Sequence, residues 1–177
     1  MSKPTTPSAT PRRKGVKHWL REGAIILVMW IAISSAVDFW RTQDMPEAML
    51  PNTTLQTIDG ELVDLIAMSQ DHPVLIYFWA TWCGACRFVT PTVDWISDHY
   101  PVVSIALTSG ESRRLKAYLN SHDYSFRVVN DHQGQQGRAW GINATPTIVV
   151  LKNGQVQSAT TGITTPPGLW LRLLLNE

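Results

Sequence analysis

Cysteine is nearly absent from this 177-residue sequence. Its only two, Cys83 and Cys86, exclude a disulfide-stapled scaffold and a four-thiolate zinc site. Charge is sparse as well: 16% of residues are charged against 44% hydrophobic, which excludes a chain kept unfolded by its own charge. A basic stripe is missing from the main body. Residues 42–177 carry eight basic and twelve acidic side chains, a net of −4, which argues against nucleic acid as a partner. The basic charge is concentrated at the other end, where residues 1–22 hold six Lys/Arg against the single acid Glu22.

Those first 22 residues are rich in Pro, Thr, Ser and Arg, have no apolar period, and are expected to be disordered. Residues 23–37, GAIILVMWIAISSAV, then run without a charge. As a helix they span about 22 Å, against a bilayer core of roughly 30 Å. Trp19, Leu20, Phe39 and Trp40 extend the run at headgroup level, and Arg21 can snorkel. The expectation is a transmembrane anchor over 23–40 with the N-terminus cytoplasmic, because the basic flank precedes it. A cleaved signal peptide ending near Ser34-Ser35-Ala36 and a buried core helix are the alternatives. No cysteine follows the run, so a lipid anchor at that site is not available. Residues 41–52, with Pro46 and Pro51, read as a linker, and 53–177 as the folded domain.

That domain alternates strand-like and helix-like stretches. Thr53–Ile58 and Glu61–Leu65 flank Asp59-Gly60, which predicts a hairpin closed by a type I′ turn. VLIYFWA at 74–80 reads as a strand buried on both faces, and 102–107 as a second. Helices are expected over 84–99, 111–121 and 135–140, with a short strand at 126–129 between the last two. Thr147–Leu151 and Val156–Thr160 bracket Asn153-Gly154, a second hairpin, and Leu169–Leu175 closes the chain as a helix after Pro166-Pro167. The pattern predicts an α/β domain with a central mixed sheet and helices on both faces.

The chemistry lies at Trp82-Cys83-Gly84-Ala85-Cys86, directly after the first buried strand. Two thiols three residues apart at a helix start lie on one face and can close a disulfide with little backbone movement. Cys83 falls at the helix N-terminus, where unpaired N–H groups and the dipole favour an anion. Lowering a thiol pKa from about 8.5 to about 7 takes only about 2 kcal/mol. Cys83 is therefore expected to be the exposed attacking thiolate and Cys86 the resolving thiol. Half a zinc site is the bland alternative for a lone C-x-x-C, but none of the five histidines makes a C-x-x-H or H-x3-H pair.

Phe78-Trp79-Ala80-Thr81-Trp82-Cys83-Gly84-Ala85-Cys86, then Pro91, then Ala144-Thr145-Pro146-Thr147, together resemble the thioredoxin superfamily. The resemblance covers about residues 50–175. It implies a thioredoxin-like fold, a helix-kinking Pro91, and a cis-Pro146 that packs against the redox pair. Thr145 would then offer its backbone to an extended substrate, and Trp82 would shape the docking surface, while Trp79 reads as core. A trans proline opening a strand is the alternative at 146. The N-terminal hairpin, a helix–strand pair inserted at about 111–129, and the anchor resemble the exported TlpA/ResA/DsbE class, and within it the protein D group of suppressors of copper sensitivity.

Two departures stand out. Thioredoxin carries a buried acid six residues before its first cysteine, where this chain has Tyr77. Members serving cytochrome c maturation carry Glu three residues after the second, where it has Val89. The usual proton acceptor for Cys86 is missing from both positions, leaving water or a substitute such as Asp94. The implied activity is thiol–disulfide exchange without a cofactor, on protein or small-thiol disulfides, in the bacterial periplasm, with electrons from a DsbD-like membrane donor. A copper-binding protein of the same fold and a redox-inert docking module are the competing readings. An N-terminally tagged chain is expected to sediment with membranes at full length on cell fractionation; a soluble, shortened product would end the anchor reading.

Overall fold

The computed structural model describes residues 19, 21–26, 28–29, 33 and 53–176. Two compact units divide the chain, Met1–Val37 and Asp38–Glu177. In the first, the described positions are helical and exposed. The expected linker, nearly all of the expected disordered tail and most of the expected anchor lie outside the described residues. Among the described residues no helix is long and apolar enough to cross a membrane.

The second unit runs β1 (Thr54–Gln56), β2 (Leu62–Asp64), α1 (Leu65–Met68), β3 (Val74–Trp79), α2 (Cys86–Ser97), β4 (Val102–Leu107), α3 (Ser112–Ser121), β5 (Arg127–Asp131), α4 (Gln135–Ala139), β6 (Thr147–Lys152), β7 (Gln155–Thr161) and α5 (Pro166–Leu174). Its main sheet has the order β5-β4-β3-β6-β7. Strands β3, β4 and β5 are parallel, whereas β6 runs antiparallel to both β3 and β7. The expected mixed α/β fold is present, including the helix–strand pair α3–β5.

Strand β3 is central because every one of its side chains has an apolar layer to enter. Leu75, Tyr77 and Trp79 join a core with Val89, Val93 and Ile96 of α2, Leu115 and Leu119 of α3, and Leu169 and Leu173 of α5. Val74, Ile76 and Phe78 point the other way, among Val103 and Ile105 of β4, Leu65 of α1 and Trp140. Each full burial of such a side chain contributes about 1.5–3 kcal/mol. The period of two along one strand thus builds both layers.

Similar turn signals had different outcomes. Asn153 (φ 53°) and Gly154 (φ 70°) both sit left-handed, as the type I′ turn between β6 and β7 requires. At Asp59-Gly60 only Gly60 is left-handed, at φ 91°. The Gly60 N–H donates to Thr57 O at 3.0 Å and the Thr57 N–H to Glu61 O at 2.9 Å, so this hairpin has a longer loop and shorter strands than expected. Its far end also departs from expectation, because Leu65 opens α1 rather than ending β2. The Asp64 carboxylate accepts the N–H groups of Ile66 (2.9 Å) and Ala67 (3.1 Å), a side-chain cap that turns the chain into a helix. Pro166 and Pro167 lie inside the first turn of α5, where a missing N–H costs nothing.

Two registers bring the reactive segments together. Phe78 pairs with Thr147, so Pro146 comes level with Trp79, the last residue of β3, at the sheet end from which the chain leads into the cysteine segment. Trp79 pairs with Ala106, bringing the loop after β4 to the same sheet end. Ile76→Ala, a truncation at a fully buried position of β3, is expected to lower stability by about 2–5 kcal/mol. The check is a fall in urea midpoint at unchanged slope.

Candidate active site

The site forms where β3 hands over to α2. Cys83 and Cys86 are joined by a disulfide with their Cα atoms 5.3 Å apart. The expected helix over 84–99 begins only at Cys86, with Ala85 as its N-cap residue. Cys83 thus stands ahead of the first turn, and its sulfur does the work of a capping side chain. The Cys86 N–H donates to Cys83 Sγ at 3.1 Å. That donor is one of the helix's unpaired N-terminal amides, at the positive end of the α2 dipole.

In the disulfide form Cys83 is more enclosed than expected of an attacking thiolate, and Cys86 lies inside as expected. Cys83 is 6% exposed and Cys86 2%, so the order of accessibility agrees with expectation while the openness of Cys83 does not. The physical reason is the cap itself, which turns the Cys83 sulfur back onto the first turn of α2.

The remaining residues singled out from the sequence lie next to Cys83 in the chain, on the loop before β6, or in the core of β3. Trp82 is 64% exposed, with its indole N–H on Thr108 O at 3.3 Å. The Thr145–Pro146 bond is cis. Thr145 is half-buried and Pro146 buried. The loop holding them is pinned by its own hydroxyls. Thr147 donates to Ala144 O at 2.8 Å and lies 3.0 Å from the Thr161 hydroxyl, and the Gly162 N–H donates to Pro146 O at 2.8 Å. Trp79 is fully buried, with its indole N–H on the Ser104 hydroxyl at 3.2 Å, so it is core as expected.

The candidate proton acceptor Asp94, and the two positions where the usual acceptor is missing, can be judged from their surroundings. Asp94 is spent elsewhere: its carboxylate accepts the Ser125 N–H at 2.8 Å, and it lies eight residues along α2 from Cys86, about 12 Å of helix rise. It is corrected to a tie between α2 and the segment leading into β5. Val89 is fully buried among apolar side chains. At Tyr77 the structure adds what the sequence reading missed. The Thr90 hydroxyl donates to Cys86 O at 2.7 Å, and Tyr77 Oη lies 2.9 Å from Thr90 Oγ1. Thr90 has one proton and has given it to the carbonyl, so Tyr77 is the donor to Thr90. The only sequence signal for Thr90 is its spacing of four from Cys86, which sets both on one helix face. The same bond back to the preceding turn, one residue before Pro91, favours a bend where the proline removes a backbone donor.

A further contact joins the loop before the cysteines to the loop after β4. The Thr81 N–H donates to Ser109 Oγ at 3.0 Å, and Ser109, 3% exposed, donates to Leu107 O at 3.1 Å. Thr108 between them is left-handed at φ 43°, a conformation that costs a β-branched residue on the order of 1–3 kcal/mol. Nothing local in the sequence marks these residues, since their partners lie 26 and 28 positions away.

Comparison with known proteins decides the family. The thioredoxin family model matches residues 54–170. This chain belongs to the thioredoxin family. It is 40% identical over 163 residues to a thioredoxin-like protein of Haemophilus influenzae, covering 92% of this chain and 97% of that one. A Chlorobium tepidum structure assigned as a thiol:disulfide interchange protein DsbE superposes with a TM-score of 0.64 at 25% identity, covering 75% of this chain and 97% of the other. A secreted Mycobacterium tuberculosis disulfide oxidoreductase homologous to Escherichia coli DsbE shares the fold at a TM-score of 0.59 and 19% identity, over 69% and 94% of the two chains. As a thioredoxin-family protein with a Cys-x-x-Cys pair, the chain is a protein-disulfide oxidoreductase.

Burial, opposed by the hydrogen bond to Thr90, holds the Tyr77 phenol well above its ordinary range, so it is neutral at all physiological pH and cannot accept a proton there. A raised acid pKa stabilises the fold below the unfolded value near 10, and that stability is lost as pH rises beyond it. Unfolding midpoints are therefore expected to fall between pH 9 and pH 11. Tyr77→Phe should lower the midpoint at pH 8 by about 1–3 kcal/mol of stability, through the buried Thr90 oxygen left without a donor, and should show a smaller further drop at pH 11.

Proposed function

We propose that the protein is an exported, membrane-tethered disulfide reductase in which Cys83 attacks and Cys86 resolves. The observation that carries the role of Cys83 as nucleophile is the Cys86 N–H directed at Cys83 Sγ from the start of α2, because the same donor would stabilise a thiolate once the disulfide is opened. In the reduced protein the Cys83 thiolate attacks a substrate disulfide, forming one mixed S–S bond and expelling one substrate thiolate. Cys86 then gives up its proton to water and attacks Cys83 Sγ. The second substrate thiolate leaves, and two electrons have passed from the protein dithiol to the substrate. Trp82, Thr145 and Pro146 receive the polypeptide flanking the substrate cystine, with the Thr145 backbone pairing along an extended segment.

Returning the pair to the dithiol in an oxidising compartment calls for a membrane electron donor of the DsbD type. The anchor reading supports this partnership, since a tether at residues 23–40 raises the effective concentration of the domain at the membrane surface. The chain layout and the residues around the cysteines resemble the protein D group of suppressors of copper sensitivity, and we assign it to that setting. The competing copper-carrier reading has less support, because the cysteines stand as C-x-x-C beside a cis-proline rather than as C-x3-C with a distant His.

Insulin reduction followed by turbidity is the test. Wild-type protein is expected to accelerate precipitation in the presence of dithiothreitol, and Cys83→Ala to abolish the acceleration. A Cys83→Ala variant that retains the full rate rejects the assignment. Cys86→Ala is expected to accumulate mixed disulfides in cells, and these identify the substrates.

A further inference from the structure

Trp82 and the short loop Thr108–Gly110 form a unit that thiol chemistry alone does not explain. An indole 64% open to solvent gains nothing from a backbone partner it could replace with water, yet its N–H meets Thr108 O. For that carbonyl to face the indole, Thr108 adopts φ 43°, where β-branched residues are rarely found. Ser109 holds the turn by donating to Leu107 O while accepting the Thr81 N–H. The loop is anchored from behind: the Asn130 side-chain amide donates to Gly110 O at 3.0 Å and to Ser112 Oγ at 3.1 Å, and the Thr108 N–H donates to Asp131 O at 2.9 Å. Two bonds thus fix the residues immediately before Cys83, and both come from the segment that joins β4 to the α3–β5 pair.

From this arrangement we infer that Thr108 and Ser109 are positioning residues that fix the Trp82 ring as a rigid platform beside the disulfide. They thereby set the preference for polypeptide disulfides over small ones. A polypeptide flanking a cystine lies across the exposed ring and gains from finding it already oriented, whereas a small disulfide meets little beyond the sulfurs. The inference rests on the exchange reaction proposed above and adds the two residues, outside the cysteine segment, that hold its docking surface in place.

The test uses Ser109→Ala in the full chain, with insulin and 5,5′-dithiobis(2-nitrobenzoate) as the large and small disulfides. The variant is expected to raise KM for insulin about three- to tenfold, the worth of one net hydrogen bond, while the rate with the small disulfide stays within about twofold. Trp82→Phe should raise KM for insulin as well, and in the double variant the two losses should not add, because each breaks the same unit. Solvent exchange of the Trp82 indole proton, assigned by its loss in Trp82→Phe, should quicken in Ser109→Ala. Equal losses with both disulfides, or fully additive losses in the double variant, would overturn the inference. If Ser109→Ala folds poorly, Thr108→Gly, which keeps the N–H donated to Asp131 O but frees the backbone that aims the carbonyl, is expected to give the same split, and its absence there counts equally against the idea. Wild-type protein inactive on both disulfides refutes the exchange reaction instead. The platform is then judged on the indole proton alone, and exchange unaltered by Ser109→Ala overturns it.

Discussion

One backbone amide aimed at one sulfur organises this site. The Cys86 N–H belongs to the first turn of α2 and has no carbonyl within its own helix to bond, so it is free for Cys83 Sγ. The interaction needs the chain to leave β3, turn through Gly84 and Ala85, and enter a helix at the second cysteine. Every larger feature serves that handover. The fully buried β3 fixes where the turn starts, the apolar face of α2 fixes the axis of the helix, and the β3–β6 register brings the cis-proline alongside.

Around that amide the polar groups form two independent sets. Behind the pair, Tyr77 holds Thr90 and Thr90 holds the Cys86 carbonyl, a neutral chain that ties α2 to β3. In front, Ser109 and Thr108 hold the segment leading into Cys83. Neither set carries a carboxylate. Hydrogen bonds keep the geometry, and the positive end of α2 faces Cys83 Sγ through the Cys86 N–H.

Much of this was legible in the sequence wherever the cause was local. The all-apolar run at 74–79 announced a central strand, Asn153-Gly154 announced its turn, and the cysteine spacing announced a bridgeable pair. Asp59-Gly60 misled because a five-residue loop closed by Thr57 satisfies the same hairpin without forcing an aspartate left-handed. The cap at Asp64 was missed because a four-residue helix has too little period to register. What the sequence could not disclose was pairing at a distance. Ser104 under Trp79, Ser109 under Thr81 and Asp94 on Ser125 are ordinary polar residues whose meaning comes only from their partners.

The depth of the sulfurs also limits what can react with them. Disulfide exchange proceeds through three sulfur atoms in a nearly straight row, so a thiol that reopens the pair must arrive along the line of the Cys83–Cys86 bond. With only 6% of Cys83 and 2% of Cys86 open in this disulfide form, a thiol set flush in a rigid surface would be held off by its own surroundings. The enclosure therefore favours a donor that presents its thiol on a protruding stretch of chain.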